Sequence, residues 1–270
     1  VIGETIRYER FFGEGRRAVI VAIDHGMFGG HIPGFENLLT VLSHLTAADG
    51  ILMAPGMVEH CGSFFARRGA PALVLRLNWG TQLVTQWGFE QSHSVSVMTP
   101  GEALAQGADW GMVGLSLKNQ DEATSAANIE LLARCVSEKR RMGLPLIGEL
   151  FPPGAEAVSP ESLHDVISMS CRMAAEIGVN AIKTFYTGRR FVEITRATPV
   201  PVLALGASKR EREQDSLSVA AAAVRDGAGG VVFGRNVVLA REPARFLDAL
   251  LEVVKENRDP ADMARKHGLT

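Results

Sequence analysis

Lys183 closes the run Ala181-Ile182-Lys183-Thr184-Phe185-Tyr186. Surface lysines sit on helices or in polar loops, so this one, among apolar neighbours, is predicted to aim its amine into a restricted space. Burial and a nearby cation both disfavour the ammonium form and free the amine. A free amine attacks a carbonyl and forms a Schiff base, whose iminium draws off the electrons of a breaking carbon–carbon bond. The alternative is a lysine that only pairs with a carboxylate or binds phosphate directly. A retro-aldol step also needs a group to take a hydroxyl proton and one to return it to carbon. Asp24 and Glu149 each end an apolar run, and separate environments would poise one as acid and the other as base. The blander reading pairs Asp24 with the lysine and makes Glu149 a hydrogen-bond hub.

His25 follows Asp24 and is a candidate to orient it or to bind a substrate oxygen. With His31 it suggests a metal pair, but six residues along a glycine loop is not a recognised ligand spacing, and His60, His93 and His164 complete no cluster. No metal and no cofactor is expected, and a zinc-dependent aldolase is disfavoured. His44 reads as structural.

A second constellation lies downstream. Val202–Leu205 opens into Gly206-Ala207-Ser208-Lys209, and Gly230–Phe233 opens into Gly234-Arg235-Asn236. Glycine lets the backbone approach an oxyanion, and Lys209 or Arg235 would neutralise it, arginine with a two-pronged fork. Gly206, Ala207, Lys209, Gly234 and Arg235 are therefore the predicted phosphate-binding residues. Tight turns that serve only barrel closure are the competing explanation.

These residues need a scaffold that brings the ends of distant runs together. A repeated unit supplies it: a short apolar run, a loop, then a helical pattern. The runs are Ala18–Ile23, Gly50–Met53, Ala72–Leu77, Gly111–Leu115, Pro145–Gly148, Ala181–Ile182, Val200–Leu205 and Gly230–Phe233. Val, Ile and Leu without strict alternation suit strands covered on both faces, as in a parallel sheet. Glu122–Met142 is the clearest helix, with Ile129, Leu132, Ala133 and Val136 on one face. Ser159-Pro160-Glu161 opens another that runs through Glu176. Ser216–Arg225 and Pro243–Lys255 repeat the pattern. Eight units predict an α/β fold, a (β/α)8 TIM barrel in a single domain over residues 1–270, with 1–17 a leading segment and 256–270 a tail. A doubly wound sheet is the competitor, but Asp24–Gly30 lacks its three-glycine spacing. Catalytic groups of a barrel gather at the C-terminal ends of its strands, which also nominates Asn78, Lys118, Ser208 and Asn236. Trp79 is a candidate for the mouth. Phe11 and Phe12 are candidates to plug the bottom or to dock on a neighbouring subunit.

The 270 residues include 28 basic and 30 acidic side chains, a net charge of -2. That balance argues against a nucleic-acid partner. No stretch approaches eighteen uncharged apolar residues, so no membrane span is expected, and no leader is visible. Cys61, Cys135 and Cys171, an odd number at wide spacings, fit reduced packed thiols of a cytoplasmic protein.

Ile23-Asp24-His25-Gly26, Ile32-Pro33-Gly34, Ile182-Lys183-Thr184-Phe185-Tyr186-Thr187-Gly188 and Val232-Phe233-Gly234-Arg235-Asn236 together resemble the archaeal-type class I aldolase family, the DhnA or DeoC/FbaB-like Schiff-base aldolases. The resemblance runs from about Ala18 to Leu251. It implies a (β/α)8 barrel, Lys183 as the Schiff-base lysine, Asp24 as the aspartate after strand one, and Gly206, Gly234 and Arg235 as the cradle of a small phosphorylated carbonyl substrate. It also implies a homo-oligomer. There are two departures. Family members usually carry a tyrosine acid/base where Gly148-Glu149-Leu150-Phe151-Pro152 places Phe151, which has no hydroxyl. Glu149, two residues earlier on the same inward face by strand periodicity, is the candidate substitute, and Tyr186 the other. Many members have a further glycine where this chain has Ala207-Ser208. The expected activity is a lyase that breaks or forms a carbon–carbon bond in a phosphorylated ketose. The alternatives are a thiolase-like acyltransferase or an isomerase using the same lysine, and a non-catalytic sugar-phosphate binding protein.

Overall fold

The computed structural model describes residues 1–13, 17–89, 91–118 and 121–269. Eight parallel strands close into a barrel. They are β1 (Ala18–Ala22), β2 (Gly50–Met53), β3 (Ala72–Arg76), β4 (Trp110–Leu115), β5 (Leu146–Leu150), β6 (Ala181–Thr184), β7 (Val202–Leu205) and β8 (Gly230–Phe233). Each pairs with its neighbour in sequence, and β8 returns to β1 through Ala18 opposite Gly230. The expected runs are the observed strands, with shifted ends. β5 extends to Leu150 and β6 to Thr184, so Glu149 and Lys183 lie inside strands and face each other in register.

Two-residue periodicity sorts each strand into an inner and an outer face. Ala18, Ile20 and Ala22 of β1, Val74 of β3, Trp110 and Met112 of β4, Ile147 of β5 and Ala181 of β6 fill the barrel interior. The next inward position up each of these strands carries Asp24, Arg76, Gly114, Glu149 and Lys183 in turn. The interior is thus apolar at the bottom and charged at the top. The outward residues, such as Val19, Val21, Leu73, Leu75, Val113 and Ile182, pack under the surrounding helices.

The leading segment is a helix, α1 (Ile2–Phe12), that closes the bottom of the barrel. Phe11 stacks on Trp110 with centroids 4.7 Å apart. Gly50 is required here, because a Cβ on it would lie 2.6 Å from the Phe11 ring. Glu4 of α1 accepts from Lys139 Nζ at 2.8 Å, which ties α1 to the helix Glu122–Met142. The tail is ordered too: Pro260–His267 is a helix capped by Asp259. Positions 14–16 and 270 of these two segments lie outside the described residues. The helix expected from Ser159 begins as a 3-10 turn, Pro160–Leu163, and becomes α-helical at His164–Ile177. An element the sequence pattern did not announce rises from the top of β3. It is an antiparallel ribbon of Asn78–Gly80 with Ser94–Ser96. No helix of the described residues is long and apolar enough to cross a membrane. Phe11→Ala should cost about 3–5 kcal/mol of stability through the cavity it opens under the barrel, read as a lower urea midpoint at unchanged slope.

Candidate active site

A cavity of about 130 Å³ opens at the C-terminal ends of the strands. Asp24, His25, Glu149, Lys183, Gly206, Ala207, Gly234 and Arg235 all line it. Most of the predicted catalytic and phosphate groups therefore share one space. Of those two sets, Tyr186 and Lys209 do not line it. The Tyr186 hydroxyl donates to Asp226 at 2.7 Å, its ring lies edge-on to Phe191, and burial with Asp226 beside it pushes its pKa up to about 12. It faces away from the lysine because the chain turns outward after Thr184. Lys209 also lies outside the lining, since the loop after Gly206 turns toward Asn236, whose Nδ2 donates to the Gly206 carbonyl at 2.8 Å.

At the centre is a buried charge network. Lys183 is 8% exposed, Asp24 3%, Glu149 2% and Arg76 1%. Lys183 Nζ contacts Glu149 Oε1. Glu149 Oε2 accepts from Arg76 Nη1 at 2.5 Å. The other side of the same guanidinium reaches Asp24 Oδ2, from Nε at 2.9 Å and Nη2 at 2.8 Å. Asp24 thus connects to the lysine through Arg76 and Glu149. Burial alone would raise the pKa of Glu149. The Arg76 and Lys183 charges beside it outweigh burial and hold it at about 2. Burial likewise works against the Arg76 cation, yet Glu149 and Asp24 push its pKa above the ordinary arginine value.

Arg76 is the residue the sequence reading missed. It lies within the apolar run Ala72–Leu77, and two-residue parity from Val74 aims it inward. Gly114 makes its reach possible. That residue lies between β3 and β5 and pairs with Glu149, and a Cβ there would come within 3.2 Å of Arg76 Nη1. Asn78 secures the same spot by exchanging two hydrogen bonds with the Gly114 backbone, at 2.8 and 2.7 Å.

His25 stands beside Asp24, with Nδ1 at 4.0 Å from Oδ1. Burial lowers its pKa to about 4, the nearby carboxylates notwithstanding, so the ring is neutral at neutral pH. It packs on Gly234, where a Cβ would fall 2.3 Å from His25 Cε1. His31 does not join it: that side chain is exposed and pairs with Glu36. Among the described residues no three metal-ligating groups converge. Ala207 adopts φ 54, a left-handed geometry that suits glycine and costs a residue with a Cβ about 1–2 kcal/mol. Asn236 is fully buried and laces the loops after β7 and β8, since its Oδ1 accepts from Arg210 N and Ser216 Oγ, each at 2.9 Å. Phe151 lines the cavity, its ring 5.1 Å from that of Phe185. Trp79 does not line it, and instead its indole donates to the Met27 carbonyl at 3.2 Å. Lys118, at φ 60, is exposed and outside the cavity. The three cysteines are buried and unpaired.

The DeoC/LacD family aldolase model matches residues 18–240. The chain belongs to this family. An uncharacterised aldolase of Saccharolobus solfataricus is 30% identical over 266 residues, 96% of this chain and 97% of that protein. The 2-amino-4,5-dihydroxy-6-oxo-7-(phosphonooxy)heptanoate synthase of Streptomyces griseus is 27% identical, over 88% of this chain and 85% of that one. Among solved structures, an archaeal fructose 1,6-bisphosphate aldolase superposes with TM-score 0.80 at 27% identity, covering 94% of this chain and 99% of that one. An archaeal fructose-1,6-bisphosphate aldolase whose catalytic lysine is covalently bound to the carbinolamine intermediate gives 0.78 at 26% identity, covering 93% and 99%. This aldolase is a class I, Schiff-base-forming lyase, so the acyltransferase, isomerase and non-catalytic alternatives give way.

Arg76→Met should unfold readily, because two buried carboxylates lose their shared cation, at a cost of about 3–5 kcal/mol near neutral pH. The two proteins should also respond oppositely to acid. In the wild type the depressed pKa of Glu149 contributes stability above the ordinary value of 4.5, lost as pH falls toward about 2. In Arg76→Met the buried Glu149 keeps only Lys183 against its burial and takes up a proton more readily, so the variant's stability should rise as pH is lowered from 7 to 5. Urea titrations from pH 7 to below 4.5 read both, the mutant's rise above 5 and the wild type's loss under 4.5.

Proposed function

We propose that this aldolase cleaves and forms a carbon–carbon bond in a phosphorylated ketose. In this reading Lys183 forms the imine, Glu149 moves the proton, and Gly206, Ala207, Gly234 and Arg235 seat the phosphate. The observation that carries the reading is the contact of Lys183 with Glu149 inside the cavity that Arg235 also lines. Lys183 gives up a proton and adds as the free amine to the ketone carbon, and return of that proton to the carbinolamine oxygen lets water leave as the iminium forms. Glu149 takes the proton of the hydroxyl one carbon beyond the bond to be broken. That bond breaks, its electrons enter the iminium to give an enamine, and an aldehyde leaves. Glu149 returns the proton to the enamine carbon, which restores the iminium, and water hydrolyses it to release the phosphorylated ketone and the Lys183 ammonium. Arg76 keeps Glu149 in the ionised, accepting state at working pH. Asp24 holds Arg76 with Oδ2 and presents Oδ1 to a substrate hydroxyl, and neutral His25 is placed to contact an oxygen of the substrate.

The phosphate seat is supported by Gly206 and Gly234, whose bare backbone lines the same cavity as Arg235. Lys209 would act only from outside that lining. Assembly into a homo-oligomer is supported by a stripe on α1. Ile2 and Ile6, four residues apart, are 74% and 51% exposed, and Met142 at 40% adjoins the turn on which α1 packs. Burying such side chains between copies is favourable at about 25 cal/mol per Å². Sedimentation equilibrium should give a multiple of 29.0 kDa, and Ile2→Glu with Ile6→Glu should shift it toward that mass. A wild type at monomer mass at all concentrations would end this part of the proposal.

Borohydride reduction in the presence of dihydroxyacetone phosphate should add one reduced adduct to the peptide bearing Lys183, and Lys183→Ala should abolish it. Glu149→Gln should still be trapped yet lose about 10²–10⁴-fold in cleavage rate, whereas Tyr186→Phe should stay within about twofold, since its hydroxyl serves Asp226. The reverse ranking would transfer the proton role to Tyr186.

A further inference from the structure

The cavity has two ends that differ in charge. β7 and β8 bring the phosphate seat. In a closed ring of eight strands these face β3 and β4, so the ribbon above β3 builds the opposite wall; the loop after β1 reaches over to that ribbon at Trp79 and Gln86, and the end of β5 flanks it. Phe28, Ile32, Leu83 and Phe151 are its apolar members, and Thr85 and Gln86 its neutral polar ones. Gln86 closes this wall against the β1 loop, with Nε2 3.4 Å from where a Cβ on Gly29 would stand. No lysine or arginine occurs anywhere from Asn78 to Ser96.

The cations that line the cavity among the described residues are Arg76, Lys183 and Arg235. Arg76 is clamped between Asp24 and Glu149, and Lys183 is committed to the carbonyl carbon. Arg235 stands at the phosphate end. His25 adds no charge near neutral pH. A phosphate pressed against the far wall would thus lose its water, find no cation there beyond Arg76, which two carboxylates already hold, and lie on the same side as the Glu149 carboxylate. Stripping a dianion of water without a partner is strongly unfavourable.

We propose that the ketose bound by this aldolase carries one phosphate rather than two, and that the half released on cleavage is an uncharged aldehyde with an apolar or hydroxylated chain. This rests on the imine and phosphate seat proposed above and names the other half of the substrate. It separates this chain from the fructose 1,6-bisphosphate aldolases whose fold it shares. Leu83 and Phe151 are the residues that set the preference, and Thr85 and Gln86 are placed to read a hydroxyl.

The test uses the full chain and needs no turnover. Dihydroxyacetone phosphate is trapped on Lys183 with borohydride, and fructose 1-phosphate or fructose 1,6-bisphosphate is added as competitor. Intact mass gives the concentration of each that halves the label. The monophosphate should do so at a concentration at least tenfold lower than the bisphosphate, and Leu83→Arg or Phe151→Arg should narrow that ratio. A bisphosphate that competes equally or better overturns the proposal, as does competition by neither. Should Lys118→Met remove a bisphosphate advantage, the loop after β4 supplies a second phosphate seat. Failure to label the wild type with dihydroxyacetone phosphate itself would bring down the underlying reading of the site as well, which keeps the two failures apart.

Discussion

A guanidinium buried between two carboxylates is the constraint on which the top of this barrel depends. Three charged side chains on β1, β3 and β5 would each be costly to bury singly. Held as Asp24–Arg76–Glu149, with Lys183 on the free Glu149 oxygen, they compensate one another at hydrogen-bond distance. Such a network is weak evidence for net stability, because hydrophobic replacements of similar shape often do as well. Its value is positional. It fixes a carboxylate against the lysine on the neighbouring strand, and it keeps that carboxylate ionised although it is buried.

The barrel is arranged to permit this network. Below it, Trp110, Met112, Phe11 and Phe12 fill the interior with apolar volume, so the charges rest on an apolar floor. Beside it, the missing side chain at Gly114 gives Arg76 its path across β4. Above it, Phe28 lies with its ring centroid 5.3 Å from the Arg76 guanidinium, adding a cation–π contact on the solvent side. The loops after β7 and β8 are laced together separately, by Asn236. The buried charge network and these glycine turns are thus held by different parts of one ring.

Much of this was legible in the amino-acid sequence. Apolar runs alternating with helical patterns predict the barrel, and loops that begin at strand ends place Asp24, Glu149, Lys183 and the glycine turns at one mouth. What was not legible has physical reasons. Arg76 stands within an apolar run, and only inward parity, combined with an unfilled position at Gly114 on the adjacent strand, reveals it. Tyr186 sits three residues after the lysine, but the turn after β6 carries it to Asp226, an interaction set by a residue forty positions away. Lys209 follows a glycine turn as Arg235 does, yet Asn236 draws its loop outward. The ribbon above β3 has strands of three residues each, too short for periodicity to register, although it supplies the neutral wall of the cavity.

The central claim is that Arg76, backed by Lys183, keeps Glu149 ionised in spite of its burial. Carbon-13 NMR of a carboxyl-labelled protein, with Glu149 assigned by its Gln variant, measures this directly. The Glu149 signal should remain that of a carboxylate at every pH at which the protein stays folded, down toward about 2. A Glu149 carboxyl that takes up its proton at or above the ordinary value of 4.5 would contradict the account.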